Sequence, residues 1–133
     1  MKRQQHHILF NRRSWEATDT LKELRQDKRL ITPLDPDTHR ELHQAVSHVP
    51  PLSYHIARRA LYTLSQFDYT DNPIEAADQL QLSIDEAMRH PRADTIERGV
   101  GELALLALEL QKPFFEPNMP TKLIDLHQWK RTG

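Results

Sequence analysis

Four histidines in the first third of the chain have the type and the spacing to do chemistry. His6 and His7 are adjacent, and His39 and His43 are four apart. On a helix the four-residue spacing sets both imidazoles on one face, within reach of one ion. Two imidazoles alone hold a metal poorly. A third, carried in by a strand, would give the three-ligand set of catalytic metal sites, which keep a position open for water or substrate. Neighbours on a strand point to opposite faces, so His6 and His7 can serve different tasks. Chance competes with this reading: eight histidines in 133 positions give roughly 0.4 adjacent pairs at random, and ordinary surface or core histidines are the alternative. The order of the pieces favours a metal site, because a His pair on a strand is followed by a second strand and then by a helix that carries the HxxxH pair.

The elements that must position these side chains follow from local signals. Residues 7–10, His-Ile-Leu-Phe, have the β-branched and aromatic content of a short strand, and Leu30-Ile31-Thr32 reads as a second one that Pro33 ends. Between them Ser14 can cap a helix whose apolar face is Ala17, Leu21 and Leu24, with Trp15 near its start. Asp35-Pro36 is a helix-start pair, and the helix is expected to run to about Ser47. Three more helices are predicted at roughly 53–67, 73–89 and 95–111. Asn72-Pro73 opens the second, with Glu75 placed for a capping box, and Asp94 with Glu97 opens the third. Their expected core stripes are Ile56, Ala60 and Leu64, then Ala77, Leu80 and Ile84, then Ile96, Val100, Leu103 and Ala107. From Pro113 onward the chain reads as a Pro-rich tail that folds Phe114, Phe115 and Trp129 back on the bundle or into a partner.

Composition bounds the rest. The length suits a single domain, 1–133, able to bury its own core. An apolar share of 38% and a charged share of 28% point neither to disorder nor to a membrane protein. No apolar run approaches the roughly 20 residues needed to span a bilayer, so a cytoplasmic protein is expected. The absence of cysteine excludes thiolate metal sites and leaves imidazole and carboxylate as ligands. Net charge is −1, but residues 1–30 carry eight Lys or Arg against four acids, so the segment holding His6 and His7 is basic and suited to an anionic partner.

The run Leu30-Ile31-Thr32-Pro33 leading to Thr38-His39-Arg40-Glu41-Leu42-His43, with His6-His7-Ile8 upstream, resembles the HNH (ββα-metal, His-Me finger) endonucleases. The nearest branch is the one typified by the colicin DNases, in which an HH pair precedes an HxxxH helix. The resemblance covers about residues 5–47. It implies that His6, His39 and His43 ligate a divalent metal ion (Zn, Mg, Ni or Mn) and that His7 is the general base that activates water. Arg12, Arg13 and Arg40 would clamp phosphates. Two features differ from the family's pattern: there is no Asn between Arg12 and Thr38, where the family usually has one pinning the loop, and 31 residues separate His7 from His39.

The expected architecture is α+β and mostly helical, a ββα-metal unit over 5–47 resting on a bundle over 52–112 with the tail at 113–133. The expected function is a metal-dependent HNH-like nuclease or nickase that hydrolyses DNA phosphodiesters. The alternative is a non-catalytic HNH-fold or helical interaction protein with a protein partner, such as a phage-type modulator or assembly partner. His48 and His55 are read as exposed groups or as supports of the site, His90 as a cation near a helix C-terminus and the Arg58-Arg59 pair as a solvated helix surface, while His127 is assigned no role.

Overall fold

A computed structural model of the chain describes residues 3–9, 19–46 and 52–115. Among these are a two-stranded antiparallel sheet and five α-helices, so the protein is mostly helical. The order is β1 (Gln4–His7), α1 (Asp19–Arg25), a 3-10 turn (Lys28–Leu30), β2 (Ile31–Leu34), α2 (Pro36–Ala45), α3 (Tyr54–Leu64), α4 (Pro73–Met88) and α5 (Thr95–Phe115). The expected α1 cap Ser14, together with Trp15 and Ala17, lies outside the described residues.

The sheet is shifted from its expected place. β1 ends at His7 rather than beginning there, and its register sets His6 opposite Thr32 and His7 opposite Ile31. β2 runs through Pro33 to Leu34 instead of stopping at the proline. A two-stranded ribbon has only edge strands, where a proline's missing N–H disrupts no central ladder.

Helix starts follow the chain's local chemistry. The Ser53 hydroxyl accepts from the Ile56 N–H at 3.2 Å at the head of α3. The Asn72 side-chain oxygen accepts from the N–H groups of Ile74 and Glu75 at the head of α4. At α5 the capping box closes in both directions, with Asp94 accepting from the Glu97 N–H at 2.7 Å and Glu97 from the Asp94 N–H at 3.0 Å.

The core runs as one cluster from Ile8, Leu30, Leu34 and Leu42 through Ile56, Ala60 and Leu64 to Leu80, Ile84, Leu108 and Phe115. The expected stripes of α3 and α4 are all buried. That of α5 is rotated: Ile96 and Leu103 are 78% and 49% exposed, while Gly101, Ala104, Ala107, Leu108, Gln111 and Phe115 face inward. Leucine occurs nearly all round this helix, so apolar periodicity does not choose a face. Close approach to α4 chooses it. A Cβ on Gly101 would lie 2.5 Å from the Met88 sulfur, which makes glycine the residue that admits Met88. α5 also continues through Pro113 to Phe115, so Phe114 and Phe115 belong to the helix and not to a tail.

Arg29 ties the N-terminal unit to the bundle. Its guanidinium donates to the Leu64 carbonyl at 3.0 Å and to the Gln79 side-chain oxygen at 3.1 Å, and it pairs with Asp27 at 3.1 Å. Among the described residues, no helix is long and apolar enough to cross a membrane.

Candidate metal centre

A single residue, Asp35, separates β2 from α2, and Pro36 stands in the first turn. So short a connection turns α2 back along the ribbon and sets it against β1. Leu42 and Val46 anchor its inner side in the core. His39 and His43 then project from the side of α2 that faces β1. Strand alternation points His6 toward them and turns His7 to the opposite face, where it is half-buried.

His6, His39 and His43 each offer one ring nitrogen, and these atoms all lie within 4.8 Å of one another. Ring centroids are 5.1 Å apart for His6 and His39, 5.4 Å for His6 and His43, and 4.7 Å for His39 and His43. A tetrahedral ion with bonds of about 2.0–2.1 Å holds its ligand nitrogens about 3.4 Å apart. Small rotations of the imidazoles therefore bring the three onto one ion. They are graded in exposure, from His6 fully buried through His39 half-buried to His43 exposed. A shallow groove of about 380 Å³, lined by Gln4, Pro36, His39, Arg40, His43 and Gln44, opens the exposed side to solvent.

Two glutamines set the tautomers. The Gln111 amide nitrogen donates to the Ile8 carbonyl at 2.9 Å, which fixes the amide's orientation and aims its oxygen at His6 Nε2, 2.8 Å away. Since that oxygen can only accept, Nε2 of His6 carries the proton and Nδ1 the lone pair. The Gln4 oxygen lies 2.9 Å from His39 Nδ1, a contact that suits the tautomer with its lone pair on Nε2. His39 Nε2 is 3.0 Å from His43 Nε2, which donates to it. An ion at this position must displace that proton to Nδ1 of the same ring. Outer partners that orient ligand imidazoles in this manner are a general feature of metal sites.

Electrostatics favour neutral ligands. Burial pushes the proton affinity of His6 down to about 3, against the opposing pull of the Gln111 hydrogen bond and with help from the charges of His39, His43 and His7. Burial also lowers His39. Phe115 closes the inner side, its ring centroid 6.0 Å from that of His6.

Of the residues picked from the sequence, His6, His39 and His43 are brought together. His7 stands on the neighbouring strand position, outside the trio, and Arg40 is exposed on the groove's rim with its guanidinium 2.7 Å from Asp37. Arg12 and Arg13 lie outside the described residues. Sequence reasoning missed Gln4, Gln111 and Phe115. Gln111 carries one signal: it occupies an inward register of α5, one turn beyond Ala107 and Leu108, where an apolar residue is the rule. A comparison of the chain with protein-family models, curated proteins and solved structures finds no match.

Proposed function

We propose that this protein is a metal-dependent nuclease of the ββα-metal (HNH) type that hydrolyses DNA phosphodiesters. The observation that carries the proposal is the convergence of His6 from a strand with His39 and His43 from the following helix, open to solvent on one side. A structural site closes its shell with a fourth protein ligand, whereas three ligands facing a groove leave room for substrate. Three neutral imidazoles suit zinc or nickel better than magnesium or manganese, which prefer oxygen donors. A bound ion would supply Lewis-acid stabilisation of the charge that develops at phosphorus.

The protein's own groups do the remainder. His7, the strand neighbour of His6, is the general base that the resemblance implies for the attacking water. Arg40 exchanges its exposed contact with Asp37 for a substrate phosphate, a planar fork well matched to phosphate oxygens. Gln111 and Gln4 hold the tautomers that keep the ligand lone pairs available.

The test is plasmid nicking with a panel of divalent ions, read beside calorimetric ion binding, for the wild type, His7→Ala and His39→Ala. Ion-dependent nicking is expected, lost in His7→Ala with ion binding intact and lost in His39→Ala together with ion binding. No nicking with any ion, or nicking that survives His39→Ala, overturns the proposal.

A second reading rests on a different surface. Leu103, Leu106 and Leu110 are exposed at helical spacing on α5, with Glu102 and Glu109 beside them. An apolar stripe edged by acids fits a basic amphipathic helix of a protein partner. A designed Leu/Lys helical peptide should bind at micromolar concentration and lose binding to Leu106→Glu. Absence of binding, or sedimentation of the protein as a dimer through this face, rejects this reading.

A further inference from the structure

Where α3 meets the connection between α4 and α5, a second set of basic side chains converges. His55 and Arg59 are four apart on α3, hence on one face, and they line a recess of about 310 Å³ together with His90 and Arg92 from the connection between α4 and α5. Its floor is apolar, made by Ile56 and Ala87, both buried. Among the described residues, neither Arg59 nor Arg92 lies within ion-pair distance of a carboxylate. Both arginines act on His90: after burial, their charges hold its proton affinity below the ordinary value, which reports a positive field in the recess. Like charges gathered over an apolar floor repel each other, and an anion relieves that repulsion.

The connection is preorganised. The Arg92 N–H donates to His90 Nδ1 at 3.1 Å, so the ring proton of neutral His90 is on Nε2, and His90 remains a donor in either charge state. The Ala93 N–H donates to the His90 carbonyl at 3.0 Å, and Arg98 clamps the same turn through the carbonyls of Met88 and His90. An opposing charge, Glu97, acts on His55. Its carboxylate is already engaged by the Ser53 hydroxyl and the Asp94 N–H at the head of α5.

We infer that this recess is a binding site for a phosphomonoester dianion, held by the Arg59 and Arg92 guanidiniums and the His90 Nε2–H, with His55 at the rim. Two arginine forks match a dianion in charge and in the geometry of its oxygens, and a concave recess of this size suits a compact terminal phosphate better than a continuous diester strand. The site uses none of the residues of the histidine trio and stands whether or not the protein cuts DNA.

The experiment is a calorimetric and amide-NMR titration of the full chain with inorganic phosphate, a nucleoside 5′-monophosphate and a dinucleotide phosphodiester. Wild type is compared with Arg59→Gln, Arg92→Gln and the control Arg58→Gln, all checked for intact fold by circular dichroism. Inorganic phosphate should bind, shift amides confined to residues 54–59 and 87–94, and weaken at least tenfold in Arg59→Gln and in Arg92→Gln but not in Arg58→Gln. Equal affinity for phosphate and the nucleotide assigns the phosphate group alone, and tighter nucleotide binding assigns a nucleotide or nucleic-acid end, both within the inference. Binding that is absent, that survives both arginine substitutions, or that is as tight for the diester as for phosphate overturns it.

Discussion

The two halves of this molecule are assembled by different means. In α3, α4 and α5, each helix start is fixed by a residue within three positions of it, Ser53 with Ile56, Asn72 with Glu75, Asp94 with Glu97. The histidine centre has no such local logic. Its inner ligand is oriented by a residue 105 positions away, and its three imidazoles come from two elements separated by α1, the 3-10 turn and β2. The bundle is local and apolar, and the centre is long-range and polar. Changes in one half should therefore be readable separately from changes in the other, except where Phe115, Gln111 and Arg29 join them.

The largest effect is expected at that joint. Phe115 is fully buried and packs against both the core and His6, so Phe115→Ala should cost about 3–5 kcal/mol of stability through the cavity it leaves. Urea unfolding measures this, and a loss below about 1 kcal/mol would show that the last turn of α5 is not part of the core. Ion affinity should fall in the same variant.

Next is acid. The unfolded chain protonates His6 near 6.5, whereas the folded protein resists protonation down to about 3. Between these values the unfolded state binds more protons. The contribution of a neutral His6 is therefore complete above about pH 6.5 and drains away as pH falls toward 3, a loss on the order of a few kcal/mol. Urea midpoints between pH 7.5 and 3.5 should fall steeply for the wild type and more gently for His6→Leu; parallel slopes would remove His6 as the cause.

Gln111→Leu keeps the volume of the inner register but frees the His6 tautomer. Ion affinity should drop about 10–100-fold, while removal of two buried hydrogen bonds also leaves the Ile8 carbonyl without that donor. Calorimetry decides it, and unchanged affinity would show that the tautomer is set elsewhere. The smallest effect is expected from Asn72→Ala, which removes the α4 cap and should cost about 1 kcal/mol with ion affinity unaltered, the outcome that most directly separates the two halves.

The same division governs what could be read from the residues. Caps and stripes announced α3 and α4 because their signals lie within a few positions. The α2 start at Asp35-Pro36 was legible for the same reason, and with it the shared face of His39 and His43. The rotation of α5 was not, because leucines surround it and the deciding contact is Gly101 against Met88 from another helix. Nor was the role of Gln111, since no local rule links it to His6. Nothing in the sequence links His55, Arg59, His90 and Arg92, because only tertiary packing of α3 against the α4–α5 connection gathers them.

The span of the His6 to Gln111 contact has a kinetic meaning. Contacts so far apart in the chain close only after the entropy of the intervening loop has been spent, so they form late, after the helices have docked. Interactions absent from the folding transition state act on the rate of unfolding and leave the rate of folding nearly unchanged. An ion held by His6, His39 and His43 would accordingly work as a latch: its presence should lengthen the lifetime of the folded chain without hastening its arrival there.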